Sequence, residues 1–214
     1  MRVVKINLKK SAGYLPAVKI GAQIIKDGGV IICPSDTVYG LWTDATNARA
    51  AERIFKIKKR KEANPLLLVI PNLEAAKKIA VFGKELEKKL LTIWPGAVTV
   101  VFRRRQKLPR AVTAGRSTIA LRIPDFKLAR ILAEEAGVPL ISTSANISGE
   151  LPTNKAGIIV GYFGKEKYQP DLFLNAGNLS ESKPSTILDL SGKKPKILRE
   201  GKASGKKLLK IFNK

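Results

Sequence analysis

Histidine is absent from this chain. Its absence excludes an imidazole general base, a Ser-His-Asp relay and any His-ligated metal. Cys33 is the one cysteine, so no internal disulfide and no thiolate metal cluster can form. Aromatic residues make up 6% of the sequence, and none build the aromatic strand on which single-stranded RNA bases stack. Acidic side chains are few: 17 Asp and Glu stand against 40 Lys and Arg, a net charge of +23. No apolar run approaches the roughly 18–20 residues of a membrane span. The opening segment, Met1-Arg-Val-Val-Lys-Ile6, lacks the apolar stretch and cleavage site of a secretory signal. A cytoplasmic location without a membrane partner is the expectation. An enzyme made of these residues works by positioning and fixed charge.

What is present describes a folded protein. In 214 residues, 44% are apolar and 27% charged, enough to bury one substantial core. The positive excess favours polyanionic partners such as nucleotides or RNA. Lysine-rich surfaces also occur in proteins from hot environments, so charge alone does not choose.

Apolar periodicity alternates along the chain. Strands are expected at 3–7, 30–33, 66–70, 97–102, 118–123, 138–141, 172–174, 186–190 and 196–198. Helices are expected at 16–26, 48–57 (capped by Asn47), 73–80, 84–93, 126–136, 154–163 and 204–212. Strands separated by helices predict an α/β layer structure with a mixed sheet. No repeat or long linker divides the chain, so one domain over 1–214 is expected. Residues 164–171 and 177–185 carry the weakest patterns, and the second is a candidate mobile segment.

Several stretches carry chemistry. Pro34-Ser-Asp-Thr-Val-Tyr-Gly-Leu41 follows a buried strand, where ligands of open α/β sheets gather. Thr37 and Tyr39 offer hydroxyls there; the plain alternative is a turn with a half-buried tyrosine. Lys56-Ile-Lys-Lys-Arg-Lys61 ends a helix, where cations are favourable in any case. Lys58 and Arg60 then enter a loop that returns to the sheet, with charges suited to phosphate. Arg122 alternates with Leu121 and Ile123 and so points from an apolar sheet toward a cleft. It awaits either a substrate anion or an ion pair with Asp125 or another acid. Ile141-Ser-Thr-Ser-Ala-Asn-Ile-Ser-Gly149 reads as a strand emptying into a small polar loop, rich in hydroxyls and bare backbone N–H groups for an anion. Ser185 and Arg199 on late strands are weaker candidates for the same site.

Taken in order, Pro34–Leu41, Lys58-x-Arg60 with Pro65-Leu66, Trp94-Pro-Gly96, Arg122-Ile-Pro124, Ser144-Ala-Asn146 and Pro184-Ser-Thr186 resemble the YrdC/TsaC family. Its hallmark is a Lys-x-Arg element paired with a Ser-x-Asn element. The match runs from about residue 12 to 205, and the chain looks like the short, single-domain form. The resemblance implies a twisted, mixed α/β sheet with flanking helices, the YrdC-like (DHBP synthase-like) fold, with a concave basic face. It implies L-threonylcarbamoyladenylate synthase activity: L-threonine, bicarbonate or CO2, and ATP with Mg2+ give threonylcarbamoyl-AMP and pyrophosphate. A separate tRNA threonylcarbamoyl-transferase complex would then modify adenosine 37 in tRNAs that decode ANN codons.

Carried over residue by residue, Thr37, Arg122, Ser142 and Ser185 resemble the threonine-binding set, with Tyr39 walling the pocket. Lys58, Arg60, Asn64, Thr118, Ser144, Asn146 and Arg199 resemble the ATP set. Lys58 and Arg60 are the expected catalytic charges, and no protein metal ligand is implied. Lys61 and Val69 depart from the pattern, standing where many members have Pro and His; the second removes one threonine contact. Two other classes compete. One is a non-enzymatic binder of tRNA or double-stranded RNA, suggested by the charge and by Arg103-Arg-Arg105. The other is a carbamoyl-transfer enzyme like the hydrogenase-maturation proteins, which are much longer.

Overall fold

A computed structural model describes residues 1–60 and 64–213; Lys61 lies outside the described residues. In chain order the elements are β1 (Arg2–Lys5), α1 (Leu15–Lys26), β2 (Ile31–Cys33), β3 (Gly40–Asp44), α2 (Ala48–Lys58), β4 (Leu67–Val69), α3 (Leu73–Ile79), α4 (Lys84–Leu90) and β5 (Val98–Arg103). They continue with α5 (Arg110–Thr113), β6 (Thr118–Arg122), α6 (Lys127–Ala136), β7 (Leu140–Ser144), α7 (Ala156–Phe163), β8 (Leu172–Asn175), β9 (Thr186–Asp189), β10 (Lys196–Arg199) and α8 (Gly205–Phe212). The strands form one ten-stranded sheet in the order β1-β8-β2-β3-β7-β4-β6-β5-β9-β10. It is mixed: β4 runs parallel to β6, whereas β7 lies antiparallel to both β3 and β4. The expected α/β architecture, with helices on both sheet faces, is the one observed.

Local chemistry sets the helix ends. Asn47 caps α2 as its sequence predicts, its side chain accepting from Ala50 N at 3.1 Å. The helix closes with Arg60 N on Phe55 O at 2.9 Å, while Lys59 takes a left-handed φ of 52°. That is a Schellman ending, in which glycine is usual. A lysine there costs on the order of 1 kcal/mol, and the turn sends Arg60 away from the helix axis.

Alternation along the strands separates two faces. Leu41, Leu68, Val100, Leu121, Ile141 and Leu188 point into the main core with Phe55 of α2, Phe163 of α7 and Phe212 of α8. Each large side chain fully buried there contributes about 1.5–3 kcal/mol. On the opposite face, α1 and α6 pack together through Val18, Ile25, Leu128 and Leu132, over Trp42 and Leu140. Farther along that face the residues become small or polar, namely Thr99, Val101, Thr118, Ala120 and Ser142, and they floor a cavity of about 800 Å³. None of the described helices is long and apolar enough to cross a membrane.

Three elements depart from expectation. Gly40 and Leu41, read as the tail of a ligand segment, open strand β3. Ser142–Ser144, read as loop, completes strand β7; Ser142 and Ser144 lie on the cavity face and Thr143 on the other, so the apolar alternation that marks a strand disappears. The short helix α5 was not expected, its four residues being too few to show a helical period.

Candidate active site

The two signature segments meet through Lys58. This last residue of α2 is buried, and its Nζ donates to Ser144 O (2.6 Å), Asn146 O (2.9 Å) and Asn146 Oδ1 (2.9 Å). Ser144 Oγ also donates to Asn146 Oδ1 at 2.6 Å, and Asn146 Nδ2 donates to Glu150 O. In this structure Lys58 stands outside the cavity wall and ties down the turn after β7. Burial, with the positive charge of Arg60 acting in the same direction, lowers its pKa to about 7. Ser144 borders the cavity and Asn146 lies behind it.

Arg60 borders the cavity, as do Arg116, Arg122 and Arg199. Partial burial lowers the pKa of Arg60 and of Arg199 from the ordinary guanidinium value, but a guanidinium stays charged. The result is a concave pocket with cations around its rim and hydroxyls on its floor, the composition that suits a polyanion.

Arg122 is 5% exposed, and its partner is Asp36, not Asp125. Nη2 donates to both Asp36 oxygens at 2.7 Å, Nη1 to Thr37 Oγ1 at 3.2 Å and Nε to Gly96 O at 3.0 Å. The ion pair that sequence left open thus forms, through the residue just before Thr37. Burial lowers the Arg122 pKa, while Asp36 opposes that shift. One Nη1–H remains of the fork for a ligand. Asp125 pairs instead with Arg130, at 3.6 Å.

At the far side Ser185 Oγ lies 2.8 Å from Thr99 Oγ1, and Arg199 Nη2 donates to Ser185 O at 2.8 Å. The segment marked as loosest walls this end through Ser182, Pro184 and Ser185. It is tied back by Asn154, which donates to Ser180 O and accepts from Leu179 N.

Thr37, Thr118, Ser142, Ser144, Ser185, Arg60, Arg122 and Arg199 therefore share one cavity. Besides Lys58 and Asn146, two further expected residues do not. Tyr39 is fully buried on the other sheet face, where its hydroxyl donates to Gly177 O (2.8 Å) and accepts from Ala176 N (3.0 Å). Burial pushes its pKa up to about 12. Asn64 is exposed and away from the cavity wall. Sequence reasoning missed Thr99, Arg116 and Trp42, which also border the cavity. For Thr99 a signal existed, because it alternates with core residues Val98 and Val100 in β5.

Among the described residues no three His, Cys, Asp or Glu gather as a metal site. Among the described residues Asp189 is the one acid on the cavity wall, and its Oδ1 accepts from Ser191 N and Oγ.

Comparison with known proteins bears on this site. A family model for Sua5, YciO and YrdC, described as telomere recombination, matches residues 23–201. A threonylcarbamoyl-AMP synthase from Pyrococcus abyssi is 33% identical over 189 residues, covering 86% of this chain, which spans only 54% of that protein. A putative threonylcarbamoyl-AMP synthase from Methanocaldococcus jannaschii is 34% identical, covering 94% of this chain and 92% of its own length. The crystal structure of P. abyssi Sua5 complexed with L-threonine superposes with a TM-score of 0.88 at 28% identity, over 99% of this chain and 61% of that one.

Proposed function

The chain belongs to the Sua5/YciO/YrdC family, and from that premise we propose that its cavity joins L-threonine, bicarbonate and ATP into threonylcarbamoyl-AMP with release of pyrophosphate. One observation carries the reading: a cavity ringed by Arg60, Arg116, Arg122 and Arg199 and floored by hydroxyls, on a fold shared with a protein solved with L-threonine. Threonine would enter carboxylate first toward Arg122 and Thr37. Its neutral amine attacks carbon of bicarbonate or CO2, giving a carbamate together with water from bicarbonate or a proton, lost to solvent, from CO2. A carbamate oxygen then attacks the α-phosphorus of ATP in line, and pyrophosphate leaves with the electron pair of the broken P–O bond.

No step requires a protein imidazole. The chain's contribution is alignment of the three reactants and stabilisation of phosphate charge. Arg60 would supply that charge directly, and Lys58 would act by holding Ser144 and Asn146 in place. Mg2+ would arrive on ATP and supply charge neutralisation at the phosphates, and Asp189 on the cavity wall would be placed to help hold it. The product would pass to the transferase complex that modifies tRNA.

The competing reading is RNA binding: Arg103 belongs to β5 and donates to Ser191 O and the backbone of Arg104 bridges to Ala80, while Arg103 and Arg105 are exposed. The deciding experiment is pyrophosphate release from ATP and bicarbonate, with and without L-threonine, with mass spectrometry for threonylcarbamoyl-AMP. Threonine-dependent release with that adduct supports the reading; folded protein giving neither overturns it.

A further inference from the structure

Asn154 stands outside the cavity wall, yet it joins two segments that form that wall. Its Nδ2 donates to Thr37 O at 3.2 Å and to Ser180 O at 2.7 Å, and its backbone carbonyl accepts from Leu179 N at 3.0 Å. Two carbonyl acceptors fix which end of the amide is nitrogen, because the reversed group would set oxygen against oxygen. The other end, Oδ1, is buried with no partner among the described residues, so donation alone holds the side chain. Thr37 is thereby anchored twice, its carbonyl by Asn154 and its hydroxyl by Arg122 Nη1 at 3.2 Å.

The segment on the other side of this bridge has far to travel. β8 and β9 stand seven strand spacings apart in the sheet, roughly 34 Å if it were flat. Ten residues, 176–185, connect them, and a chain of that length reaches about 33–36 Å at full extension. Twist shortens the gap, but the connection forms no helix or hydrogen-bonded turn of its own. Its ends are secured: Tyr39 holds Ala176 and Gly177, and Thr99 and Arg199 hold Ser185. Between them, the hydrogen bonds that reach residues 179–183 from elsewhere in the described chain all come from Asn154. Ser182, Pro184 and Ser185 border the cavity together with Thr37.

We propose that Asn154 is a positioning residue for the reaction: by fixing the 177–185 segment to Thr37, it sets the spacing of the two wall segments between which the amino-acid substrate binds. The inference rests on the reading of the cavity as an L-threonine site. Removing the amide takes away no ligand contact. It lets the wall part, so the binding-competent arrangement is populated only a fraction of the time and apparent affinity falls by that fraction. The loss falls on substrate binding and not on the chemical step, which sees only the assembled site.

The test compares the whole wild-type chain with Asn154→Ala by pyrophosphate release against L-threonine, urea denaturation and amide hydrogen exchange. The variant should need at least about 5-fold more threonine for half-maximal rate, the scale of two lost hydrogen bonds. Its rate at saturating threonine should stay within about 2-fold. The Leu179 amide should exchange at least about 10-fold faster, with the β7 amides unchanged, and threonine should slow Leu179 exchange in the wild-type chain. A folded variant with an unchanged threonine requirement overturns the inference and leaves the cavity reading standing, even where its urea midpoint falls, because that is a purely structural role. A lowered saturated rate with an unchanged requirement overturns it too. Should Asn154→Ala not fold, Asn154→Asp, of nearly the same shape but without the donor, is read in the same way. Should neither fold, Leu179 exchange in the wild-type chain that threonine leaves unaltered overturns the inference. Absence of threonine-dependent release from the folded wild-type chain removes the cavity reading and this inference together.

Discussion

Lys58 Nζ holds Asn146 twice, at 2.9 Å from both its backbone and its side-chain oxygen. The two residues stand 88 positions apart in sequence, yet they form one unit, with the helix end as clamp and the turn as its load. Arg60, two residues later, has the different task of facing the cavity. The two cations should therefore fail differently. Arg60→Ala should lower pyrophosphate release by roughly 10²-fold or more and leave stability within about 0.5 kcal/mol. Lys58→Ala should also lose activity, and in addition about 1–3 kcal/mol of stability, because buried carbonyls lose their donor. Urea denaturation beside a pyrophosphate assay separates them; equal stability losses would refute the division of labour.

The same lysine makes the protein sensitive to pH. Its folded-state pKa is lowered to about 7 from an ordinary 10.5, first by burial and then by Arg60. Between those values the unfolded chain binds the extra proton, so the contribution of Lys58 to stability rises as pH increases from about 7 toward 10.5. Lys58→Met should lack that rise, and urea midpoints at several pH values for both proteins check the sign. If phosphate binds nearby, its charge favours the ammonium, and ATP binding above pH 7 should take up protons. Calorimetry in buffers of different ionisation enthalpy would report that uptake.

Arg122 needs a gentler substitution than alanine. Arg122→Ala strands the Asp36 carboxylate in a buried site and should cost about 3–5 kcal/mol, which obscures any binding effect. Arg122→Lys keeps the charge and loses the planar fork. It should raise the threonine concentration for half-maximal rate by roughly 10-fold while the rate at saturation holds, which is the mark of lost ground-state binding. An unchanged threonine requirement would remove Arg122 from carboxylate recognition.

Tyr39 offers a control outside the cavity. Tyr39→Phe leaves Gly177 O without its donor and Ala176 N without its acceptor, and should destabilise the fold by about 1–3 kcal/mol. Threonine affinity should stay within about 2-fold. Hydrogen exchange should show faster opening at residues 176–178 before anywhere else. A large threonine defect in a folded Tyr39→Phe would return this tyrosine to the pocket wall.

Most elements were legible because their apolar faces are buried against something. α2 shows its cap at Asn47 and its stripe at Ala51, Ile54 and Phe55, and the structure reproduces both. Legibility failed where a strand faces the cavity. Ser142 and Ser144 in β7 border the cavity rather than a core, so their pattern looks like loop. The carboxylate paired with Arg122 was invisible for another reason: Asp36 and Arg122 meet only because the chain after β2 folds back over β6, and no local periodicity records that. The burial of Lys58 was likewise hidden, since a basic run at a helix end looks solvated until the turn from β7 covers it.

Gly40 pairs with Ser144 and Leu67 with Ser142, so β7 joins two strands that were already made long before it. During synthesis, roughly a hundred residues of chain separate β3 from the partner on its open edge, a long-range closure of the slow-folding kind. Until residue 144 emerges, β3 and β4 present unpaired backbone to whatever is near, and exposed edges of that sort invite association between nascent chains. The strand that completes the cavity floor is therefore also the one that joins β3 to β4 across the middle of the sheet, and a chain cut anywhere before it would have neither.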